Sequence, residues 1–259
     1  MIALRSDEEI ASICKAGAIL ASALEKVKQA VAPGVTTGSL DALARDEILK
    51  LGGYPAFNGV KVGQNVYPAN ICTSVNDVVV HGIPSARRLR EGDILSVDIG
   101  VRFRDYFADA AVTVGVGKVK PEAARLMKVT EEALRVAIDN ALVGRHLSDI
   151  SAAVQAHVES NGFSVVRQLV GHGIGTKLWE EPEVPNFGRP GTGPVLKAGM
   201  VLAIEPMVNQ GGYQVETLED RWAIVTADGK LSAHFEHTIA IRESGPQILT
   251  ALCDKSGGF

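Results

Sequence analysis

The strongest constraint on this chain is that its second half repeats the order of elements in its first. Apolar residues at helical spacing (Ile10, Ile13, Leu20, Leu24, Val27) predict a helix from about Glu8 to Val31, stopped by Pro33-Gly34. Thr37-Gly38-Ser39 opens a second helix that runs through Leu40, Leu43 and Ile48 to the Gly52-Gly53 break. Short runs rich in Val and Ile follow, as strands do: Val78-Val79-Val80, Ile94-Leu95-Ser96-Val97 and Ala111-Val112-Thr113-Val114. Two more amphipathic segments, Ala123 to Leu142 and Leu147 to Ser160, then lead into further short strands.

The match extends to landmarks in the same order. Pro33-Gly34 returns as Val143-Gly144, and His81-Gly82-Ile83 as His172-Gly173-Ile174. Gly92 is followed after six residues by Asp98, and Gly199 after six by Glu205. Asp109-Ala110-Ala111-Val112 returns as Glu236-His237-Thr238-Ile239. The sequence therefore predicts an α+β chain, residues 1–259, acting as a single catalytic domain with pseudo-symmetric halves of about 1–120 and 121–259.

A pseudo-two-fold axis would gather the repeated acids at the centre. Strand alternation turns Val97 and Ile99 to one face and Asp98 to the other. Singly, Asp98 reads as a strand-end acid and His172 as a turn residue; Asp109 and Glu205, flanked by small or apolar residues, already look buried. Together, Asp98, Asp109, Glu205 and Glu236 would repel one another in a closed cleft unless cations stand between them. Carboxylates with the His172 imidazole suit divalent Co, Mn, Fe or Zn, and the ligand set fits a pair of ions that acidify a shared water. His81 should lie near the cleft and donate to substrate or shuttle a proton; His237 should point to the other face of its strand, and His146, His157 and His234 carry no signal.

Composition narrows the setting. A net charge of −4 without basic runs gives no footprint for nucleic acid. Cys14, Cys72 and Cys253 are too scattered for a disulfide framework, and no run reaches the length of a membrane helix or signal segment. A cytoplasmic location is the expectation.

The motifs Ile71-Cys72-Thr73-Ser74-Val75-Asn76, Val80-His81-Gly82-Ile83-Pro84, Gly171-His172-Gly173-Ile174-Gly175, Ala203-Ile204-Glu205-Pro206-Met207 and Phe235-Glu236-His237-Thr238 resemble the type I methionine aminopeptidases over nearly the whole chain. The resemblance implies the pita-bread fold of the creatinase and aminopeptidase group, and removal of N-terminal methionine from peptides and nascent chains, at the ribosome, by a monomer. It implies that Asp98 chelates one ion, that Asp109 and Glu236 bridge, and that His172 and Glu205 complete the other. His81 would contact the substrate amide, Glu205 would carry the proton, and Tyr67, Cys72 and Trp222 would hold the methionine side chain. The chain departs from that pattern at Trp179, where a histidine is usual, at Leu178, where an aromatic is common, and in a longer segment from Phe57 to Tyr67. Trp179 thus faces the substrate by analogy, and an altered-specificity or catalytically weak relative, or another aminopeptidase of the fold, stays open. Proline-specific dipeptidases and creatine-type hydrolases are less favoured, because they carry a further N-terminal domain.

Overall fold

A computed structural model describes residues 2–251. Helix α1 (Asp7–Ala30) starts at Ser6, whose hydroxyl and the Glu9 carboxylate close a reciprocal capping box. Helix α2 (Thr37–Lys50) is capped by the Thr36 side chain and ends at Gly52, whose φ of 80° is the left-handed exit that favours glycine. Helix α3 (Pro121–Asn140) places proline in its first turn, and α4 (Leu147–Ser160) follows His146. All four agree with the expected helices, and Cys253 lies outside the described residues.

The strands are longer than the apolar runs suggested. Ile94–Phe103 and Tyr106–Gly115 are the ten-residue strands of one hairpin, in which Val97, Ile99 and Val101 face the helices while Asp98 and Asp109 face a closed cleft. Among the described residues this hairpin is the middle of a nine-stranded sheet. On one side it pairs with Cys72–Val75 and Tyr54–Pro55; on the other come Glu236–Ala240, Val201–Ile204, Val170–Gly173 and Glu180–Pro185. Val97, Ile99, Val101, Ala108 and Ala110 pack in one core with α1 and α2, whereas Leu202, Ile204, Ile239 and Ile241 pack with α3 and α4. The two halves are welded where Ala111 stands opposite Glu236 and Ala110 opposite His237.

The repeat is visible bond by bond. Gly34 N donates to Leu89 O at 2.7 Å and Gly144 N to Leu196 O at 3.0 Å. Gly92 N donates to Val116 O and Gly199 N to Ile241 O, both at 2.9 Å. Strand register also corrects one expected equivalence. Ser74 stands opposite Ser96, and His172 opposite Ala203; Ser96 and Ala203 each lie four residues past the paired glycines Gly92 and Gly199. The counterpart of His172 is therefore Ser74, not His81. His81 instead follows Val78–Val80 with φ of 59°, and the shared His-Gly-Ile is a local coincidence.

Gly17 lets α1 lie against the chain near its far end. A Cβ there would come within 2.0 Å of the Leu249 carbonyl oxygen, which belongs to backbone and cannot swing away. Gly17→Ala should therefore lower unfolding free energy by about 1–3 kcal/mol despite its better helix propensity. Chemical denaturation of the two proteins under one metal condition measures this; a stabilised variant would refute the packing.

Candidate metal centre

Two rows across the large sheet build the site. In the first, Cys72 stands opposite Asp98, Asp98 opposite Ala111, and Ala111 opposite Glu236. In the second, Gly100 stands opposite Asp109, and Ala203 stands between Thr238 and His172. Thr238 ties the row together, since its hydroxyl accepts from Asp109 N at 2.9 Å and donates to Asp109 O at 2.8 Å. Small residues occupy the positions between the acids, so the floor is shallow and the carboxylates stand above it. Asp109, His172 and Glu236 each bring a ligand atom within 4.8 Å of the others.

The electrostatics are those of a cation site. Asp98, Asp109 and Glu236 are buried, and Asp98 Oδ1, Asp109 Oδ1 and Glu236 Oε1 have no hydrogen-bond partner among the described residues. Burial comes first in raising all of the acids: Asp98 to about 6, Glu205 to about 7, and Asp109 and Glu236 well above the usual range, with neighbouring carboxylates adding to each except Glu205. His172 Nδ1 donates to Gly173 O at 2.9 Å, which leaves the Nε2 lone pair facing the cleft. That Nε2 lies 3.7 Å from Glu205 Oε1, too long for a hydrogen bond and suited to two donors sharing one ion. Orphaned oxygens, a tautomer fixed for ligation and mixed N/O donors all fit divalent ions.

His81 lines the same cleft, and burial lowers its pKa to about 4, with His234 adding to the shift. His237 turns away, its Nδ1 2.8 Å from Thr250 Oγ1, as strand alternation required. His234, which showed no signal in the sequence, is buried in the centre, with Nε2 3.6 Å from Glu205 Oε2 and 4.0 Å from Glu236 Oε2.

Beside the acids, a cavity of about 100 Å³ is lined by Phe57, Tyr67, Cys72 and Trp222. Tyr67 packs edge-on to Trp222 at 5.1 Å, and its hydroxyl donates within reach of the Ile71 and Gly82 carbonyls. The longer segment from Phe57 to Tyr67 is a small hairpin, Lys61–Val62 against Asn65–Val66, that carries Val60 and Val62 to this cavity. Trp179 is 47% exposed and borders both this cavity and the larger cleft of about 790 Å³ that contains His81, His172 and Glu205. Its neighbour Leu178 is buried in the core, so the pair splits inward and outward. The loop is pinned by Glu180, whose carboxylate accepts from Thr176 N, Lys177 N and the buried Arg5.

A duplicated α+β fold with a divalent-metal centre beside a small apolar cavity defines a metal-dependent hydrolase. Comparison with known proteins makes this specific. Residues 11–243 match the model of metallopeptidase family M24. The chain is 53% identical to a methionine aminopeptidase of Clostridium perfringens, covering 97% of this chain and all of that one. It is 48% identical to methionine aminopeptidase 1 of Bacillus subtilis, covering 96% and 99%. The crystal structure of methionine aminopeptidase from Thermotoga maritima superposes with a TM-score of 0.93 at 45% identity, covering 97% of this chain and all of that one. Prolidase from Pyrococcus horikoshii, at 21% identity and a TM-score of 0.78, shares the fold. The chain belongs to metallopeptidase family M24: it has the pita-bread fold, it is a metallo-exopeptidase, and its cofactors are divalent metal ions.

The raised acids make a prediction for metal-free protein. Glu205 goes from an ordinary 4.5 to about 7 on folding, so the unfolded chain releases its proton first and stability falls as pH rises through that window. Every tenfold gain in proton affinity on folding corresponds to about 1.4 kcal/mol of stability lost once the pH has passed the window. Calorimetric melting with a chelator should therefore drop between about pH 5 and pH 7.5, and added Mn should abolish the drop. A melting temperature that climbs with pH in chelator would contradict the buried acids.

Proposed function

We propose that this enzyme removes the N-terminal methionine from peptides and nascent proteins, with Asp98, Asp109, His172, Glu205 and Glu236 holding two divalent ions. The observation that carries the reading is the apolar cavity of Tyr67, Cys72 and Trp222 opening directly onto those buried acids. When bound, the ions supply Lewis-acid polarisation and an acidified water. Asp109 and Glu236 would be shared between the ions, with Asp98 holding one and His172 and Glu205 the other. Glu205 accepts the proton of the attacking water and returns it to the leaving amine. Its pKa of about 7 in the metal-free site is in keeping with a buried carboxyl that takes a proton readily.

His81 contacts the substrate amide. Its left-handed backbone, with φ of 59°, turns the imidazole to the cleft between the methionine cavity and the larger opening. The side of the cavity lined by Phe57, Tyr67, Cys72 and Trp222 takes an apolar first side chain, and the larger cleft takes the rest of the peptide. The whole chain works as one catalytic domain. The enzyme would work as a monomer in the cytoplasm on chains leaving the ribosome; among the described residues no helix is long and apolar enough to cross a membrane.

Peptide release should occur from Met-Ala and not from Lys-Ala, vanish with chelator and return with Mn, Fe, Co or Zn. Asp109→Ala should abolish it, since a bridging carboxylate is lost. Equal release from both peptides would refute the methionine cavity, and full activity in Asp109→Ala would refute the paired-ion site.

Trp179 separates the cavity from the cleft, and its indole N–H has no acceptor among the described residues. It stands free to donate to the substrate carbonyl, but its bulk narrows the place of the second residue. Trp179→His should raise kcat/KM on Met-Ala, and raise it more on Met-Val, within a ceiling of about 4 kcal/mol for one such donor. Unchanged rates on both peptides would make the indole a bystander.

A further inference from the structure

His234 comes from outside the large sheet. It ends the strand Ser232–His234, which pairs with Met207–Asn209 in a separate sheet, with Met207 opposite His234. One hydroxyl fixes it against the hairpin at the centre of the large sheet. Thr113 Oγ1 donates to His234 O at 2.8 Å and accepts from His234 N at 2.9 Å. Since that hydroxyl has a single proton, Ser96 Oγ, at 2.8 Å, must be the donor in the Ser96–Thr113 contact. This clamp leaves the imidazole 1% exposed, with Nε2 unpartnered among the described residues.

The Nε2 atom is aimed at Glu205. It lies 3.6 Å from Oε2, while His172 Nε2 lies 3.7 Å from Oε1, so each carboxylate oxygen faces its own imidazole. No hydrogen bond within the described protein reaches that carboxylate, although Asn186 Nδ2 holds the Glu205 backbone carbonyl at 2.9 Å. Main chain is therefore anchored and side chain is not. A carboxylate that must both ligate and carry a proton needs its two oxygens kept distinct, and a buried N–H beside one of them does this.

We propose that His234 is the positioning residue of Glu205. Its Nε2–H donates to Oε2 once the carboxylate settles on the ions, a closure of well under 1 Å from 3.6 Å to hydrogen-bond length. Oε1 is thereby left for the ion beside His172. The proposal rests on the metal-dependent methionine release described above.

The test compares three substitutions. His234→Leu and His234→Met fill the space without a donor, and His234→Gln restores an N–H. On Met-Ala with Mn, Leu and Met should lose about 10–100-fold in kcat with KM little changed, and Gln should recover most of the loss. Titration calorimetry of Mn into metal-free protein should find binding weakened by about 10–100-fold in Leu and Met but near wild type in Gln. The metal-free melting temperature of Leu and Met should not fall, because an unpartnered buried nitrogen has been removed. If Leu does not fold, Met against Gln carries the same comparison.

Equal loss of Mn affinity in all three variants would make His234 a ligand instead. Wild-type kcat in Leu and Met would make it a bystander, and a lower metal-free melting temperature would make it structural. Failure of the wild-type protein to release methionine with any ion would sink the proposed function, while the Mn titrations would still report on His234.

Discussion

Everything in this molecule is arranged around carboxylates buried where water cannot solvate them. Asp98, Asp109 and Glu236 lie below one-tenth exposure, and their orphaned oxygens would cost several kcal/mol each without a counter-charge. The sheet meets this demand with small residues in the floor: Ala111 stands between Asp98 and Glu236, and Ala203 stands beside His172.

The weld between halves follows from the same constraint. Neither half alone assembles the candidate cluster: Asp98 and Asp109 come from one hairpin, and His172, Glu205 and Glu236 from the other half. Pairing Ala111 with Glu236 brings the acids of the two halves together. Thr238 and Thr113 reinforce the seam with hydroxyls that both donate and accept, which satisfies buried backbone groups without adding charge.

The substrate side obeys a looser logic. The hairpin from Lys61 to Val66 and the loop bearing Trp179 sit at the rim and pack less, and here the chain departs from the type I pattern. On the metal side the carboxylates are buried and their oxygens lack protein partners, so their positions answer to one another. The rim can vary because a side chain such as Trp179 meets mainly solvent and substrate.

The order α1 to α4, the duplication and the central acids were legible in the residues alone. Helical spacing, strand alternation and the Gly92 and Gly199 landmarks are local properties that survive without coordinates. Only the tertiary structure decided which histidines matter and how. The matching His-Gly-Ile triplets suggested that His81 and His172 were equivalent, but ladder register pairs His172 with the place of Ser74. His234 was illegible because it belongs to a fully buried strand of another sheet, and only the packing of that sheet against the hairpin brings its ring to the acids. Its closeness to Glu205 depends on one hydroxyl clamp and one strand register, and contacts between residues far apart in the chain leave no period in the sequence.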